Sequence, residues 1–212
     1  MKVTKQEHAC LLVESAGKML VVDPGSFTTL LVGLNDVVAI VITHEHQDHW
    51  TSDQLEEILH RNPDARIFGP AGVAAAASAF TVEVVQDGDT VSVDPFTLRF
   101  FGSEHAVIHS SIPVVDNVGV LINDELYYAG DSYTIPQGVE VGTLAVPAGA
   151  PWLKIGEVMD FVAAVAPRRS FAVHEMVLST AGKSMSNARI QVATEAGGGT
   201  FFPLAPGESL DL

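Results

Sequence analysis

Apolar residues along the chain recur as short continuous or alternating runs, most of which end at a turn residue or at a charged residue. Runs of this kind predict β-strands. Eleven such runs are found, at residues 9–13, 19–22, 37–42, 65–68, 82–85, 90–93, 96–101, 118–122, 126–129, 144–147 and 170–173. Helices are predicted at residues 53–60, 72–80, 155–166 and 186–196, the first of them opening with the capping box Thr51-Ser52-Asp53-Gln54. Strands and helices alternate without a long linker, which predicts one α/β domain over residues 1–212, with two similar halves as the alternative.

The stretch T-H-E-H-Q-D-H-W follows the apolar run at 37–42 and places four potential metal ligands, His44, His46, Asp48 and His49, within six positions. Residues two apart on a helix point in nearly opposite directions, so His44 and His46 can share a metal only if they lie on a loop. Imidazole and carboxylate groups suit zinc, iron and manganese. Four ligands exceed what one metal usually takes from one loop, which favours two metals completed by residues elsewhere.

Four further candidates each follow a predicted strand. Asp23 ends the run M-L-V-V, His105 lies in G-S-E-H-A, Asp131 follows L-Y-Y-A-G, and His174 ends F-A-V. In α/β sheets the carboxyl ends of the strands are where functional sites gather. We therefore expect these residues to meet the histidine-rich loop.

The order D…HxHxDH…H…GDS…H, from Asp23 to His174, resembles the metallo-β-lactamase superfamily of hydrolases. The resemblance implies a four-layer αββα sandwich with two mixed sheets flanked by helices. It implies that His44, His46 and His105 bind one metal, that Asp48, His49 and His174 bind a second, and that Asp131 bridges both. Asp23 corresponds to the residue that orients the histidine loop through hydrogen bonds.

The chain departs from the lactamases proper, because it has no cysteine at the second metal and has an aspartate bridge that they lack. We therefore do not expect β-lactam hydrolysis. The opening Q-E-H-A-C-L-L-V-E and the short length look like the branch that contains the ascorbate-6-phosphate lactonase.

Some assignments stay open at this point. His109 competes with His105 as the third ligand of the first metal, and we favour His105 because it lies nearer the strand end. His8, His109 and Tyr133 are candidates for a substrate pocket, Tyr133 as a donor to a developing oxyanion. Trp152 is either a packed aromatic residue or part of the rim of the pocket or of a dimer surface.

These residues predict a dinuclear metal-dependent hydrolase that uses a metal-bridging hydroxide on a small-molecule lactone, ester or phosphoester. Asp131 and Asp48 are the predicted catalytic carboxylates. Zinc is the expected metal, with manganese, iron and nickel as alternatives. A mononuclear iron redox enzyme and a phosphodiesterase are the competing functions.

The composition of the chain limits the classes of molecule that the protein is expected to bind. The 212 residues carry a formal net charge of −15, which disfavours binding to nucleic acid. Cys10 is the only cysteine, and neither a signal-peptide pattern nor an apolar stretch of membrane-spanning length is found. We expect a cytoplasmic protein that acts on a small molecule away from membranes and forms a homo-oligomer.

Overall fold

A computed structural model describes residues 1–212 as fourteen strands and four helices. The strands are β1 Lys2–Lys5, β2 Leu11–Ser15, β3 Lys18–Val22, β4 Val37–Val41, β5 Arg66–Gly69, β6 Val82–Val84, β7 Thr90–Val93, β8 Phe96–Phe101, β9 Gly119–Ile122, β10 Leu126–Tyr128, β11 Thr143–Pro147, β12 Arg169–Val173, β13 Thr200–Phe201 and β14 Ser209–Asp211. The helices are α1 Ser52–Arg61, α2 Ala71–Ala76, α3 Ile155–Val165 and α4 Thr180–Ala196. None of these helices is both long enough and apolar enough to cross a membrane.

The strands form two mixed sheets of seven strands each. The first sheet has the order β14-β1-β2-β3-β4-β5-β6 and the second has the order β13-β12-β11-β10-β9-β8-β7. Strands β3 to β6 run parallel to one another, as do β10 to β13, and the remaining pairs are antiparallel. In each sheet the parallel strands therefore bring several carboxyl ends to one edge.

Three apolar layers show how the sheets and helices stack. The central layer joins side chains of both sheets, such as Leu20 and Val41 from the first sheet and Phe100 and Tyr128 from the second. A second layer packs α3 and α4 on the outer face of the second sheet, and a third packs α1 and α2 on the outer face of the first. The fold is thus the αββα sandwich that the sequence predicted, because each central strand buries both of its faces.

The start of α1 shows half of the predicted capping box. The Thr51 hydroxyl accepts the Gln54 N–H at 3.2 Å, as predicted. The Gln54 side chain does not return to the cap, however. It accepts the Leu31 N–H at 3.1 Å and donates to the Thr28 carbonyl at 3.0 Å. The glutamine therefore fixes the loop that follows β3 to the helix that follows the histidine-rich loop.

The predicted elements are found within one or two residues of their expected positions, with a few exceptions. Helix α4 begins at Thr180, six residues before the predicted start, because the Ser179 hydroxyl accepts the Gly182 N–H and caps it. Helix α2 ends at Ala76, and the predicted extension to residue 80 is wrong. The short strands β1, β13 and β14 were not predicted.

Candidate metal centre

The candidate centre is formed where loops of the two sheets meet. Asp23 follows β3, and the loop of residues 43–50 follows β4, both in the first sheet. His105 follows β8, Asp131 follows β10, and His174 follows β12, all in the second sheet. Every candidate therefore lies just beyond the carboxyl end of a strand, as the sequence predicted.

Backbone hydrogen bonds join the two sheets at this edge. The Val118 N–H donates to the Thr43 carbonyl at 2.9 Å, and the His174 N–H donates to the His8 carbonyl at 2.7 Å. Asn117 links the second sheet internally, since its side-chain carbonyl accepts the Asp131 N–H at 3.0 Å. The loops thus hold one another in place without a ligand.

The histidine-rich loop is irregular rather than helical, as its spacing required. A hydrogen bond of 3.0 Å from the His49 N–H to the His46 carbonyl closes its turn, and the Trp50 indole donates to the Glu45 carbonyl at 3.0 Å. Gly25 packs directly on the Asp48 backbone, where a Cβ atom would collide with the carbonyl group. Glycine is therefore needed beside the loop because the two backbones approach closely.

Asp23 lies beneath this loop and accepts three hydrogen bonds. The donors are the Thr43 N–H at 2.8 Å, the Thr43 hydroxyl at 2.7 Å and the His49 Nδ1–H at 2.6 Å. The last of these keeps the proton on Nδ1, so the Nε2 lone pair of His49 points away, towards Asp131 Oδ1 at 3.4 Å. Asp23 therefore has the contacts of an orienting residue.

Three overlapping groups of side chains bring their ligand atoms within 4.8 Å of one another. The groups are His44, His46 and His105; His8, Asp48, His49 and His174; and His44, His49 and Asp131. All seven residues predicted as metal ligands belong to these groups. His8 joins them, whereas His109 does not.

Four polar atoms in these groups are buried without a hydrogen-bond partner: Nε2 of His49, His105 and His174, and Oδ1 of Asp131. The His105 and His174 rings donate from Nδ1 to the carbonyls of Ala106 and Gly149, so Nε2 is the atom of each ring that is left to bind a metal. A buried polar atom left unpaired costs free energy that a bound cation offsets.

The spacing of these atoms also suits a metal ion. Asp131 Oδ2 lies 3.4 Å from His105 Nε2 and 3.2 Å from His174 Nε2. The His44 Nε2 and His46 Nδ1 atoms lie 3.0 Å apart. Ligand atoms around a tetrahedral zinc ion, at bonds of about 2.0–2.1 Å, are about 3.3 Å apart. The residues present therefore fit a divalent metal.

Charges at the centre are coupled through Asp131. Burial would raise the pKa of the Asp131 carboxyl, but His174 and His49 hold it well below its usual value. Burial likewise opposes the charged form of His174, yet Asp131 raises its pKa to about 9. In the same way Asp23 and Asp131 raise the pKa of His49. In the metal-free protein, protons on these two histidines supply the positive charge that a metal supplies when bound.

His8 is fully buried beside this group and connects two of its loops. Its Nδ1 accepts the Met176 N–H at 3.3 Å, so the proton lies on Nε2, which donates to Asp48 Oδ2 at 3.1 Å. Burial lowers the pKa of His8 to about 4, so the ring is neutral near pH 7. In this tautomer His8 holds the Asp48 carboxylate and does not present a lone pair to a metal.

Trp152 has a contact that the sequence did not reveal. Its indole N–H donates to Asp131 Oδ2 at 2.7 Å, and the ring packs against His105 and Tyr133 with centroid separations of 5.9 and 5.1 Å. Trp152 is therefore a packed aromatic residue that also orients the central carboxylate. Neither its neighbours in the sequence nor its spacing from Asp131 signals this role.

The remaining pocket candidates lie in different surroundings. Tyr133 lines a cavity of about 450 Å³ beside His105, but its hydroxyl is buried and has no hydrogen-bond partner. His109 is exposed and forms a hydrogen bond with Ser111 at 2.8 Å. The structure thus brings His105, and not His109, to the other candidate ligands.

A buried ion pair that the sequence did not reveal supports His174. The Lys5 ammonium binds the Glu175 carboxylate and donates to the Leu204 carbonyl at 3.0 Å. Both charged side chains are almost completely buried, at 2% and 6% exposure. The residue after His174 is therefore tied to β1 and to the segment near β14.

A four-layer αββα sandwich with a cluster of histidines and aspartates at the sheet edge defines the metallo-β-lactamase fold, which includes many metal-dependent hydrolases that bind divalent metals. Residues 2–174 match the family described as the β-lactamase superfamily domain, and the chain belongs to this superfamily.

Relatives match over most of the chain. Protein Rv0786c of Mycobacterium tuberculosis is 35% identical, over 99% of this chain and 98% of its own length. A UPF0173 protein of Pyrococcus furiosus is 29% identical, over 82% of this chain and 83% of its own. Among solved structures, Igni18, a metallo hydrolase of Ignicoccus hospitalis, superposes with a TM-score of 0.73 at 20% identity, over 99% and 97% of the two chains.

Proposed function

We propose that this chain is a dinuclear metal-dependent hydrolase of small molecules that contain a lactone, ester or phosphoester bond. One ion is held by His44, His46 and His105, and the other by Asp48, His49 and His174. Asp131 lies between the two sets of ligands. Zinc is the proposed metal, since three histidines or a mixed histidine and aspartate set suit it.

The observation that carries this proposal is the position of the Asp131 carboxylate. It lies 3.4 Å from His105 Nε2, which belongs to the first set, and 3.4 and 3.2 Å from His49 and His174 Nε2, which belong to the second. The carboxyl is almost completely buried, and its pKa is far below the usual value, so it is ionised at neutral pH. A single carboxylate within 3.4 Å of histidines from both sets is placed to bind two metals at once.

When bound, the two ions supply a Lewis acid and a water molecule that is acidic enough to react near neutral pH. The protein supplies the orientation. Trp152 and Asn117 fix Asp131 by its side chain and its backbone, and His8 fixes Asp48. In our proposal Asp131 and Asp48 are the catalytic carboxylates, and Asp131 accepts the proton that the attacking water releases and passes it to the leaving group.

The single thiol of the chain does not compete with this mechanism. Cys10 is completely buried, and burial raises the pKa of its thiol well above the usual value. A buried thiol that stays protonated does not attack a substrate. The attacking group in the proposed reaction is therefore water.

The test is the metal content per chain, measured on protein purified without a chelating tag, for wild type, His46→Ala, Asp131→Ala and the control His109→Ala. We expect about two equivalents of metal in wild type and in the control, and a loss in both other variants. The same proteins are assayed with lactones, esters and phosphoesters, and turnover should follow metal content. One equivalent of iron with oxygen-dependent turnover, or full activity after loss of metal, would contradict the proposal.

A further inference from the structure

The chain segments that surround the candidate centre contain no lysine or arginine. These site segments are residues 6–8, 23–31, 43–50, 102–117, 130–137, 148–153 and 174–178. None of the eleven lysine and arginine residues lies in them, although Lys5 directly precedes the first segment and the exposed Lys154 directly follows residues 148–153. The site segments contain five acidic residues in addition to the proposed ligands and Asp23. These are Glu7, Glu45, Glu104, Asp116 and Glu175.

Most cations of the protein are engaged at a distance from the site segments. Lys2, Lys18, Arg66, Arg99, Arg168 and Arg169 form ion pairs with acidic residues of the strands and their turns. Lys5 is the exception, since it reaches Glu175, but that pair is buried and is not available to a ligand. A net charge of −15 adds a general repulsion of anions.

The same segments expose apolar side chains. Of the twelve large apolar residues that are exposed in the protein, eight lie in the site segments: Phe27, Leu30, Val107, Ile112, Val114, Ile135, Met176 and Val177. Val107 is 64% exposed and Val177 is 51% exposed. Exposed apolar residues that gather around one site mark a surface that binds an apolar partner or ligand.

Three of these residues contact residues of the candidate centre or share a cavity with them. The Phe27 ring meets the His8 ring edge to face, with centroids 4.9 Å apart. Met176 donates its N–H to His8, and Val107 lines the cavity of about 450 Å³ together with His105. The apolar surface therefore continues into the space next to the proposed metal ligands.

We propose that the substrate is an uncharged ester or lactone with an apolar portion, and that compounds carrying a phosphate or another anionic group away from the reacting bond are excluded. This inference rests on the proposed hydrolase function and names its substrate class. Arginine and lysine side chains are the strongest partners of a phosphate away from the metals, and the site segments lack them. An apolar chain, by contrast, finds exposed apolar side chains on several sides of the centre.

Lys183 on α4 is one of two cations that test this inference. Its ammonium lies 3.6 Å from the Met176 sulfur, at the border of the site segments. If the protein did bind an anionic substrate, Lys183 and the exposed Lys154 are the residues that would attract it. The variants Lys183→Met and Lys154→Met therefore separate the two substrate classes.

Binding is measured separately from turnover. Zinc-loaded protein is titrated calorimetrically with acetohydroxamate, octanohydroxamate and the carboxylate-bearing succinomonohydroxamate, which share one metal-binding head group. We expect octanohydroxamate to bind about tenfold more tightly than acetohydroxamate, or better, because its methylene groups leave water. Succinomonohydroxamate should bind more weakly than acetohydroxamate. Met176→Ser and Val107→Ser should reduce the preference for the long chain, whereas the control Val192→Ser, at an exposed position near the end of helix α4, should not.

Equal affinities for the short and long chains would overturn the inference. So would tighter binding of the carboxylate-bearing ligand that is lost in Lys183→Met or Lys154→Met. Light scattering tests whether a second copy of the chain covers this apolar surface instead. If the protein is a dimer that Ile112→Ser dissociates, and it shows no preference for the long chain, the surface is a subunit interface and the inference is overturned. A preference for the long chain without hydrolysis of any ester, lactone or phosphoester would instead contradict only the proposed hydrolase function.

Discussion

Replacing Trp152 with phenylalanine tests how strongly a neighbouring group controls the proposed metal ligands. The substitution keeps an aromatic ring between His105 and Tyr133 but removes the N–H that donates to Asp131 Oδ2 at 2.7 Å. Both partners are buried, Trp152 at 9% and Asp131 at 3% exposure, so water does not replace the lost donor well. The free Asp131 carboxylate can then rotate away from the position in which it contacts both sets of histidines.

The expected magnitude follows from the type of hydrogen bond. A bond to a charged group contributes about 1.5–3 kcal/mol, and removing a partner of a metal ligand typically weakens metal binding about 10–100-fold. Loss of the donor also makes the carboxylate more basic, which acts in the opposite direction. We expect the loss of orientation to dominate, because the indole supplies the one hydrogen bond that the Asp131 side chain accepts: Oδ1 has none. The metal dissociation constant should therefore rise at least about tenfold.

The assay is a competition between the protein and a chelator of known affinity, followed with cobalt through its absorption spectrum. Tyr133→Phe is the matched control, since it alters the same aromatic cluster but removes a hydroxyl that has no hydrogen-bond partner. Its affinity should stay close to that of wild type. If Trp152→Phe binds cobalt as tightly as wild type, or if both variants lose affinity equally, the indole N–H does not orient Asp131.

The other predictions concern stability, each measured by urea unfolding. Asp23→Ala leaves three buried donors without an acceptor and should cost at least about 3 kcal/mol; a loss below about 1 kcal/mol would contradict its orienting role. Lys5→Met leaves the buried Glu175 carboxylate without its partner and should lower the free energy of unfolding by about 3–5 kcal/mol. The double variant Lys5→Met/Glu175→Gln should recover most of this loss, and an equal loss in the single and double variants would refute the explanation. Metal-free protein should be most stable near pH 6.5. The pKa of His8 is lowered to about 4 in the folded protein, so the free energy of unfolding falls by at most about 3 kcal/mol as the pH drops from 6.5. The pKa of His174 is raised to about 9, so the stability that its proton contributes is lost as the pH rises from 6.5 towards 9. A flat profile between pH 4 and 9 would contradict both assignments, and bound metal should remove the loss on the alkaline side because it replaces the proton on His174.

Local patterns in the sequence predict most of the architecture. Central strands such as Thr143–Pro147 are mostly apolar because both of their faces are buried, and helix α3 shows an amphipathic stripe. The edge strand β14 is three residues long and mostly exposed, so it leaves no such pattern. The first turns of α4 are also exposed, and only the cap at Ser179 marks their start.

Some residues of the candidate site can likewise be predicted from the sequence, and others cannot. The histidine-rich loop and the residues at strand ends can be predicted because their chemistry is concentrated in short motifs. The donors that orient them cannot, since each comes from a part of the chain far away in sequence. His8 and Asp48 are 40 positions apart, and Trp152 and Asp131 are 21 apart. Which donor reaches which carboxylate depends on how the loops fold over the sheet edge.

The joining of two sheets at the candidate centre has a consequence for the lifetime of the protein. The proposed ligands come from loops of both sheets, so an unfolded chain cannot present them together. A metal that binds only the folded chain adds about 4 kcal/mol to the free energy of unfolding when its free concentration is about a thousand times its dissociation constant. The supply of the metal would then determine how long each molecule resists proteolysis. When the metal is scarce, the protein would be degraded, so its amount would fall as well as its activity.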